Sequence, residues 1–581
     1  MDALKEIGFK CGLEIHQRLE GRKLFSTKYY NQENSSEQVN LRLQRKFISA
    51  KGELGSKDIS SEFEESRQKT ITYEYDENYA GMVECDDCPP TLPSEEAVEA
   101  SLAICKSLNC IIVDQINFMR KTIIDGSAPS GFQRTALVGF NGFIEVNGKR
   151  IGIQSVSLEE ESCSIVSEGV FSLSRLGVPL IEIATSPDIE NPEEAKEVAK
   201  QIGLILRSTG KVQRGIGSIR QDVNVSISKG NRIEIKGAQE LNDIPKIIFN
   251  EIRRQETLVA LKQILLEKTA KLMPSIDLTN LLTNSNVKLL QGKTIFGINV
   301  KNCKKLLGIE LTEDYRFASE LSDYVKAYSG LKGLIHSDEN LAKYGFTPEE
   351  INTIMQELNM EEEDAFIIIA GELDELNKAI KAIEYRFNET FNGVIPETRK
   401  ADGLKTRFMR PLSGASRLYP ETDVLPRVTS TVKIEEIKTL ENIKEELLAG
   451  GLNEELASKL LNSRMLKEFN EHSQVKDKKF LATVLLDYIP AIERKTKKEI
   501  DKVKLTELII LLEENKITKK ALISLLEQED FKKLLEENNL QRFSREKITY
   551  LAAKENIKNA FDFIRLYPLN VEFDDVVFLN G

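Results

Sequence analysis

The segment Phe9–Gly21 reads FKCGLEIHQRLEG. Phe9, Cys11, Leu13 and Ile15 are apolar, whereas Lys10, Gly12, Glu14 and His16 are not. A period of two predicts a β-strand with one buried face, and Glu14 and His16 project together from the other. The chain has 3 His in 581 residues, so one standing two places from a carboxylate is a candidate metal or catalytic pair. On this strand alone the polar side of a half-buried sheet explains the pattern equally simply.

Three more strands repeat it. In RIGIQSVSLEEES, strand phase sets Glu159 opposite Val156 and Leu158. In GVPLIEIATSP, Glu182 stands inside an apolar run, VPLIEIA, that predicts a strand buried on both faces. An ionised glutamate there is costly unless it is paired or bound to metal. In IRQDVNVSIS, Asp222, Asn224 and Ser226 share one face, and Val223, Val225 and Ile227 share the other. Arg175, Arg220 and Lys236 lie close by in sequence, which predicts a concave polar floor with basic side chains around it. Three glutamates and one imidazole suit Mg²⁺ or Mn²⁺ better than Zn²⁺. The residues themselves leave two readings open, a metal–phosphate floor and a solvated polar face.

Composition narrows the class. At 581 residues the chain exceeds one core, and three to five domains are expected. Hydrophobic content of 41% with 30% charged residues describes a globular chain. A net charge of −12 excludes a general nucleic-acid coat while leaving room for a local basic path. MDALKEIGFKCG has no apolar signal core, and no run approaches the roughly 18 apolar residues of a membrane span, so no membrane partner is expected. The seven cysteines read as reduced, cytoplasmic thiols. Cys85 and Cys88 form one C-x-x-C that Cys105 and Cys110 could complete into a zinc set; the second spacing is loose, and ordinary thiols are the alternative. GKT at 292–294 is not a P-loop, because Val287 occupies the place of its first glycine.

Short β patterns dominate up to about residue 240, with hairpin signals at Asn141-Gly142 and Asn147-Gly148. LNDIPKIIFNEIRRQETLVALKQILLEK then has the spacing of a long helix. Helix patterns around DAFIIIAG make 285–400 a separate α+β unit, and beyond about 430 the chain is almost entirely amphipathic helix. The expectation is a multidomain α+β protein divided at 1–284, 285–400, 401–430, 431–505 and 506–581.

Seven stretches taken in order go beyond periodicity: CGLEIHQRLEG, IDGSAPSGFQRTALVGFNG, GIQSVSLEEES, SRLGVPLIEIATSPDI, STGKVQRGIGSIRQDVNVSI, RIEIKGAQEL and FMRPLSGASRLYPETDV. Together they resemble the GatB/GatE family of tRNA-dependent amidotransferase subunits, over essentially the whole chain. IDGSAPSGFQRT, the Gly-Ala-Gln-Glu after the lysine strand and the insertion before MRPLSGASRLYPETD look like its archaeal branch, the GatE proteins. The resemblance implies a β-rich cradle interrupted by an insertion similar to one in aspartyl-tRNA synthetases, then helical and tail domains. It implies that glutamate misacylated onto tRNA(Gln) is phosphorylated by ATP and amidated by ammonia. The family's metal motif maps onto Glu14, His16, Glu159 and Glu182, implying catalytic and Mg²⁺- or Mn²⁺-binding roles. Arg175, Arg220, Asp222, Asn224 and Lys236 are then expected to orient ATP or the aminoacylated end. The implied partners are an asparaginase-like amidase, GatD, in an α2β2 heterotetramer, and Glu-tRNA(Gln). The basic stretches RKADGLKTRFMR and ERKTKKEIDKVK are candidates for gripping the tRNA body.

Overall fold

A computed structural model describes the chain except residues 1, 31–37, 47, 49–50, 52–54, 67–69, 124, 415–416, 435–439, 464, 529–530, 538–539 and 581. The chain is mixed α/β and divides into two compact units, 1–437 and 438–581. No helix among the described residues is long and apolar enough to cross a membrane.

The first unit is organised by one large sheet. Its main strands are β1 (Lys10–Arg18), β2 (Phe118–Thr122), β3 (Phe132–Val146), β4 (Lys149–Glu160), β5 (Pro179–Thr185), β6 (Ile219–Ser226), β7 (Ile233–Lys236), β8 (Glu397–Asp402), β9 (Lys405–Pro411) and β10 (Leu418–Pro420), and the short strand Ile111–Ile112 pairs with β3 beside them. They lie in the order β9-β8-β7-β6-β1-β5-β4-β3-β2-β10, which puts the opening strand at the centre. Neighbours run antiparallel except β7 and β8.

The period of two is realised across this sheet. Leu13, Ile15, Val156, Leu158, Ile181, Ile183, Val223 and Val225 are all buried on one face. They pack against α1 (Glu95–Ser107), α2 (Pro192–Ser208) and α3 (Ile244–Glu267). Helix α2 shows why these segments are helical. The Asn191 side chain accepts from the Glu194 N–H at 2.8 Å, and Pro192 opens the first turn. Ala195, Val198, Ala199, Ile202 and Leu206 then form the buried stripe. Each large aliphatic side chain removed from water contributes about 1.5–3 kcal/mol, so burial of this face strongly favours folding of the unit.

Two expectations are corrected. β5 is not buried on both faces: Ile181 and Ile183 point to the helices, but the Glu182 side chain, 21% exposed, points the other way. The face opposite the helices is lined by polar groups, so a carboxylate there keeps partners. Of the two Asn-Gly signals, Asn147-Gly148 makes the β3–β4 hairpin, with φ of 51° and 76°. Asn141-Gly142 does not turn the chain. Asn141 adopts φ 50° inside β3, and the strand continues because the Phe143 N–H donates to the Leu108 carbonyl at 2.9 Å. A Cβ on Gly142 would sit 2.4 Å from that carbonyl oxygen, so glycine here serves close packing.

The α+β insertion has its own sheet, formed by residues 271–272, 276–277, 294–301, 335–336 and 365–371. It therefore begins before 285, because the two short strands after α3 already pair with 294–301. Helices α4 (Phe317–Ser329), α5 (Pro348–Glu357) and α6 (Leu373–Glu389) belong to it, and the chain re-enters the large sheet at Glu397.

The second unit is helical. One apolar cluster runs from Leu447 to Phe531, across the division expected at 505, and another from Phe543 to Val576. The break in core packing thus falls near 540, and the junction expected near 430 leads into 435–439, outside the described residues.

Candidate functional site

The face of the large sheet opposite α1–α3 carries the candidate site. Antiparallel register places His16 opposite both Glu182 and Arg220, and Glu14 opposite Asp222. His16 Nε2 lies 3.0 Å from Glu182 Oε2. Lys121, from β2, is ion-paired with Glu159 and places Nζ 3.2 Å from Glu182 Oε2. The Gln133 amide donates to Glu159 Oε2 at 3.0 Å. One atom each of His16, Glu159 and Glu182 can be chosen so that all lie within 4.8 Å of one another.

Glu14 does not join them. Its neighbour on β5 is Ala184, which offers nothing polar, and the acid turns to the other side of β1. There Glu14, Asp222 and Glu234 form a second group with the same 4.8 Å spread. Asn224 Nδ2 donates to Glu14 Oε1 at 2.9 Å, and Lys236 Nζ bridges Asp222 and Glu234 at 2.6 Å each. The four residues read from the sequence as one ligand set are thus divided between two acidic groups on one floor.

Each group contains a lysine that offsets its carboxylates. Burial would lower the Lys121 pKa, but the charges of Glu159 and Glu182 outweigh it and raise it. Burial would raise Glu182, but Lys121 and the hydrogen bond from His16 hold it well below the usual carboxylate range. Burial also opposes charge on His16, whose pKa is nonetheless raised by the hydrogen bond and charge of Glu182. For Glu14, burial first, then Glu182 and Glu234, outweigh the charge of Lys236 and push it up. Despite its burial Glu234 is held at about 2, chiefly by Lys236.

The weaker expectations separate. Asp222, Asn224 and Lys236 lie in the second group. Arg220 turns to Glu161 at 2.8 Å, and Arg175 donates to the carbonyls of Ser162 at 3.0 Å and Cys163 at 2.6 Å. Arg175 is therefore a backbone brace rather than a member of either acidic group. Within RKADGLKTRFMR, Arg399 is buried in an ion network, and Arg407 pairs with Asp402 at 2.6 Å and Asp323 at 3.3 Å. No cysteine belongs to a group of three or more described His, Cys, Asp or Glu residues close enough to share an ion; Cys85 is buried and Cys88 exposed.

Sequence reasoning missed Lys121, Gln133, Glu234, Thr398, Arg410 and Arg417. Glu234 was the readable one: RIEIKG alternates, and Glu234 shares a face with Lys236. The Thr398 hydroxyl, from β8, donates to Glu234 Oε2 at 3.0 Å. Arg410 Nε is buried with no hydrogen-bond partner among the described residues. Arg417 Nε donates to the Thr122 carbonyl at 2.9 Å, and its guanidinium feels the charges of Glu159 and Glu234. These arginines arrive on the chain returning from the insertion, a juxtaposition that local periodicity cannot reveal.

The residues present fit the implied groups. Two carboxylates offer hard oxygen donors to Mg²⁺ or Mn²⁺ and the imidazole adds one borderline nitrogen, while the second group offers three carboxylates. The unsatisfied donor of Arg410, whose charge reaches Lys236, fits an anion such as a phosphate. His16, Glu182 and Lys121 side chains remain 15%, 21% and 18% exposed, so the floor is open to a ligand.

The returning segment is held by Glu421. It accepts from Arg120 Nη2 at 2.8 Å and Arg134 Nε at 2.7 Å, and despite burial its carboxyl is lowered to about 2. Residues 415–416 of the same loop lie outside the described residues. A depressed carboxylate stabilises the fold fully above its unfolded pKa of about 4.3, and the contribution is lost as pH falls towards the folded value. Acid titration followed by circular dichroism should therefore show a smaller loss of stability between about pH 4.3 and 2 in Glu421→Gln than in the wild type.

Residues 9–435 match the GatB/GatE catalytic domain. The chain is 42% identical, over 80% of its length and 76% of the relative's, to a Saccharolobus solfataricus protein named as the E subunit of glutamyl-tRNA(Gln) amidotransferase. A Sulfolobus acidocaldarius protein of the same name is 41% identical over 83% of this chain and 80% of its own. One from Thermococcus sibiricus is 38% identical over 97% of this chain and 91% of its own.

Proposed function

The chain belongs to the GatB/GatE family, and from that premise we propose that it is the tRNA-dependent component of a glutamyl-tRNA(Gln) amidotransferase, an ATP-dependent ligase with an amide nitrogen donor. It activates the γ-carboxylate of glutamate carried on tRNA(Gln) with ATP and amidates it. Ammonia comes from an asparaginase-like GatD partner, in an α2β2 assembly. The observation that carries this reading is the single open floor on which His16, Glu159 and Glu182 adjoin Glu14, Asp222 and Glu234, each group with its own lysine.

In the first step a γ-carboxylate oxygen attacks the terminal phosphorus of ATP, and the bond to ADP breaks. Phosphoryl transfer needs positioning and charge stabilisation more than covalent catalysis, so the absence of a P-loop poses no obstacle. Lys121, Lys236, Arg410 and Arg417 offset negative charge on the triphosphate and the transferred group. His16, Glu159 and Glu182 would hold one divalent ion, and Glu14, Asp222 and Glu234 a second; such ions screen phosphate oxygens as Lewis acids. Gln133 and Asn224 orient carboxylates by donating to Glu159 and Glu14. In the second step ammonia attacks the acyl phosphate, phosphate leaves with the bonding pair, and nitrogen sheds a proton. Carboxylates lining the floor are placed to receive it. The stretch 493–504, with Arg494, Lys495, Lys497 and Lys498, contacts the tRNA body through phosphates.

The test is reconstitution. The chain assembled with its amidase, Glu-tRNA(Gln), ATP, Mg²⁺ and glutamine or asparagine should accumulate Gln-tRNA(Gln), ADP and phosphate. Amino-acid-dependent ATP–pyrophosphate exchange, or no turnover by a folded complex, would overturn the reading.

A further inference from the structure

The C-terminus of α1 holds a pair of cysteines unconnected with the floor chemistry. Leu108 closes the helix, its N–H donating to Ile104 O at 3.0 Å; Asn109 is left-handed with φ 53°; and the Cys110 N–H turns back to Cys105 O at 2.9 Å. A six-to-one bond around a left-handed residue is a Schellman motif, which brings the side chains of its first and last members together. That contact is commonly apolar; here both members are cysteine, and the Cys110 thiol donates to the Leu108 carbonyl at 3.8 Å. Strand β3 crosses above the pair at Gly139 and Gly142. A Cβ on Gly139 would lie 2.7 Å from Cys105 Sγ, and one on Gly142 would lie 2.4 Å from Cys110 Sγ. Both sulfurs thus occupy space that side chains on the strand would take.

The two thiols differ in access and acidity. Cys105 is buried and Cys110 half-buried. Its interaction with Cys110, together with burial, pushes the Cys105 thiol well up, while the same interaction lowers Cys110. Cys11, Cys85, Cys163 and Cys303 are instead all raised by burial.

We propose that Cys105 and Cys110 are a redox-active dithiol, a modification site that low-molecular-weight disulfides oxidise to an intramolecular disulfide. Cys110, the more accessible member, loses its proton and attacks one sulfur of the small disulfide, expelling one small thiol. Cys105 then loses its proton and attacks Cys110 sulfur, expelling the second. Two protons and two electrons pass from the protein to the small disulfide, which leaves as two thiols. The helix cap turns both side chains towards Gly139, where one Cβ position would lie 2.7 Å from Cys105 Sγ and 3.1 Å from Cys110 Cβ, so a bond about 2.05 Å long closes without moving distant backbone.

The full chain is incubated with oxidised glutathione, its remaining thiols are blocked with N-ethylmaleimide after denaturation, and peptides are weighed. The wild type should lose two hydrogens within the peptide spanning both cysteines and keep no glutathione. C105S should retain one glutathione on Cys110, and C110S none on Cys105. The proposal is overturned if both wild-type thiols are alkylated after denaturation, or if glutathione stays on wild-type Cys110. The wild-type result needs no variant to fold.

Discussion

Glu159→Gln is expected to lower tRNA-dependent ADP formation by about 10²–10³-fold, the range seen when one preorganised electrostatic group is removed from an active site. Glu159 is 1% exposed and is held between the Lys121 ammonium and the Gln133 amide. The substitution keeps shape and volume but removes the negative charge. Lys121 then retains Glu182 alone, at 3.2 Å, as its anionic partner on this floor, and the His16–Glu159–Glu182 group loses one of its two carboxylates. Two measurements separate this from general damage. Mn²⁺ binding followed by electron paramagnetic resonance should weaken along with turnover, while the partner amidase's hydrolysis of its amide donor should be unaffected. Unchanged ADP formation with intact Mn²⁺ binding would remove Glu159 from the site.

The sheet's two faces were readable because alternation is a local property. Every apolar position in LEIHQR, VSLEE, IEIA and DVNVS reaches the helix side, save Ala184, which shares the floor side with Glu182. What lay outside the sequence was which strands would be neighbours. That fact alone splits Glu14 from His16, since Ala184 faces one and Glu182 the other. Arg220, on β6, turns to Glu161, and Arg175, in the turn before β5, donates to the Ser162 carbonyl. Lys121 and Arg410 were hidden for a different reason. Each stands among other basic residues, and only tertiary register tells the lysine on the floor from its neighbour Arg120, which turns to Glu421. Family resemblance supplied residue types for the site; pairing of strands decides how those residues are grouped.

Glu320→Gln is expected to cost about 3–5 kcal/mol of stability, the penalty for removing one partner from a buried ion pair. Glu320, on α4, is fully buried and accepts both contacts from Arg254 Nη1, at 2.8 and 2.9 Å, and Arg386 Nη2 at 2.5 Å. Arg399 Nη1 stands 3.5 Å away. Glu251 and Glu397 complete a set of three acids and three arginines, formally neutral and closed to water. Neutralising Glu320 leaves one buried guanidinium charge without compensation, and desolvation makes that far worse than any lost contact. The three arginines hold the Glu320 carboxyl far below its usual range although burial opposes this. Its contribution is therefore complete above the unfolded value of about 4.3 and declines only as pH falls well below it. Urea denaturation at neutral pH should show the lowered midpoint; a change under about 1 kcal/mol would mean that water or a shifted side chain replaces the carboxylate. The effect should also reach the floor. Glu397 and Arg399 flank Thr398 on β8, Thr398 donates to Glu234, and β8 pairs with β7, which carries Glu234 and Lys236. A variant that loosens β8 should therefore weaken Mn²⁺ binding as well as the fold, because the network fixes the register of the strand that completes the second acidic group.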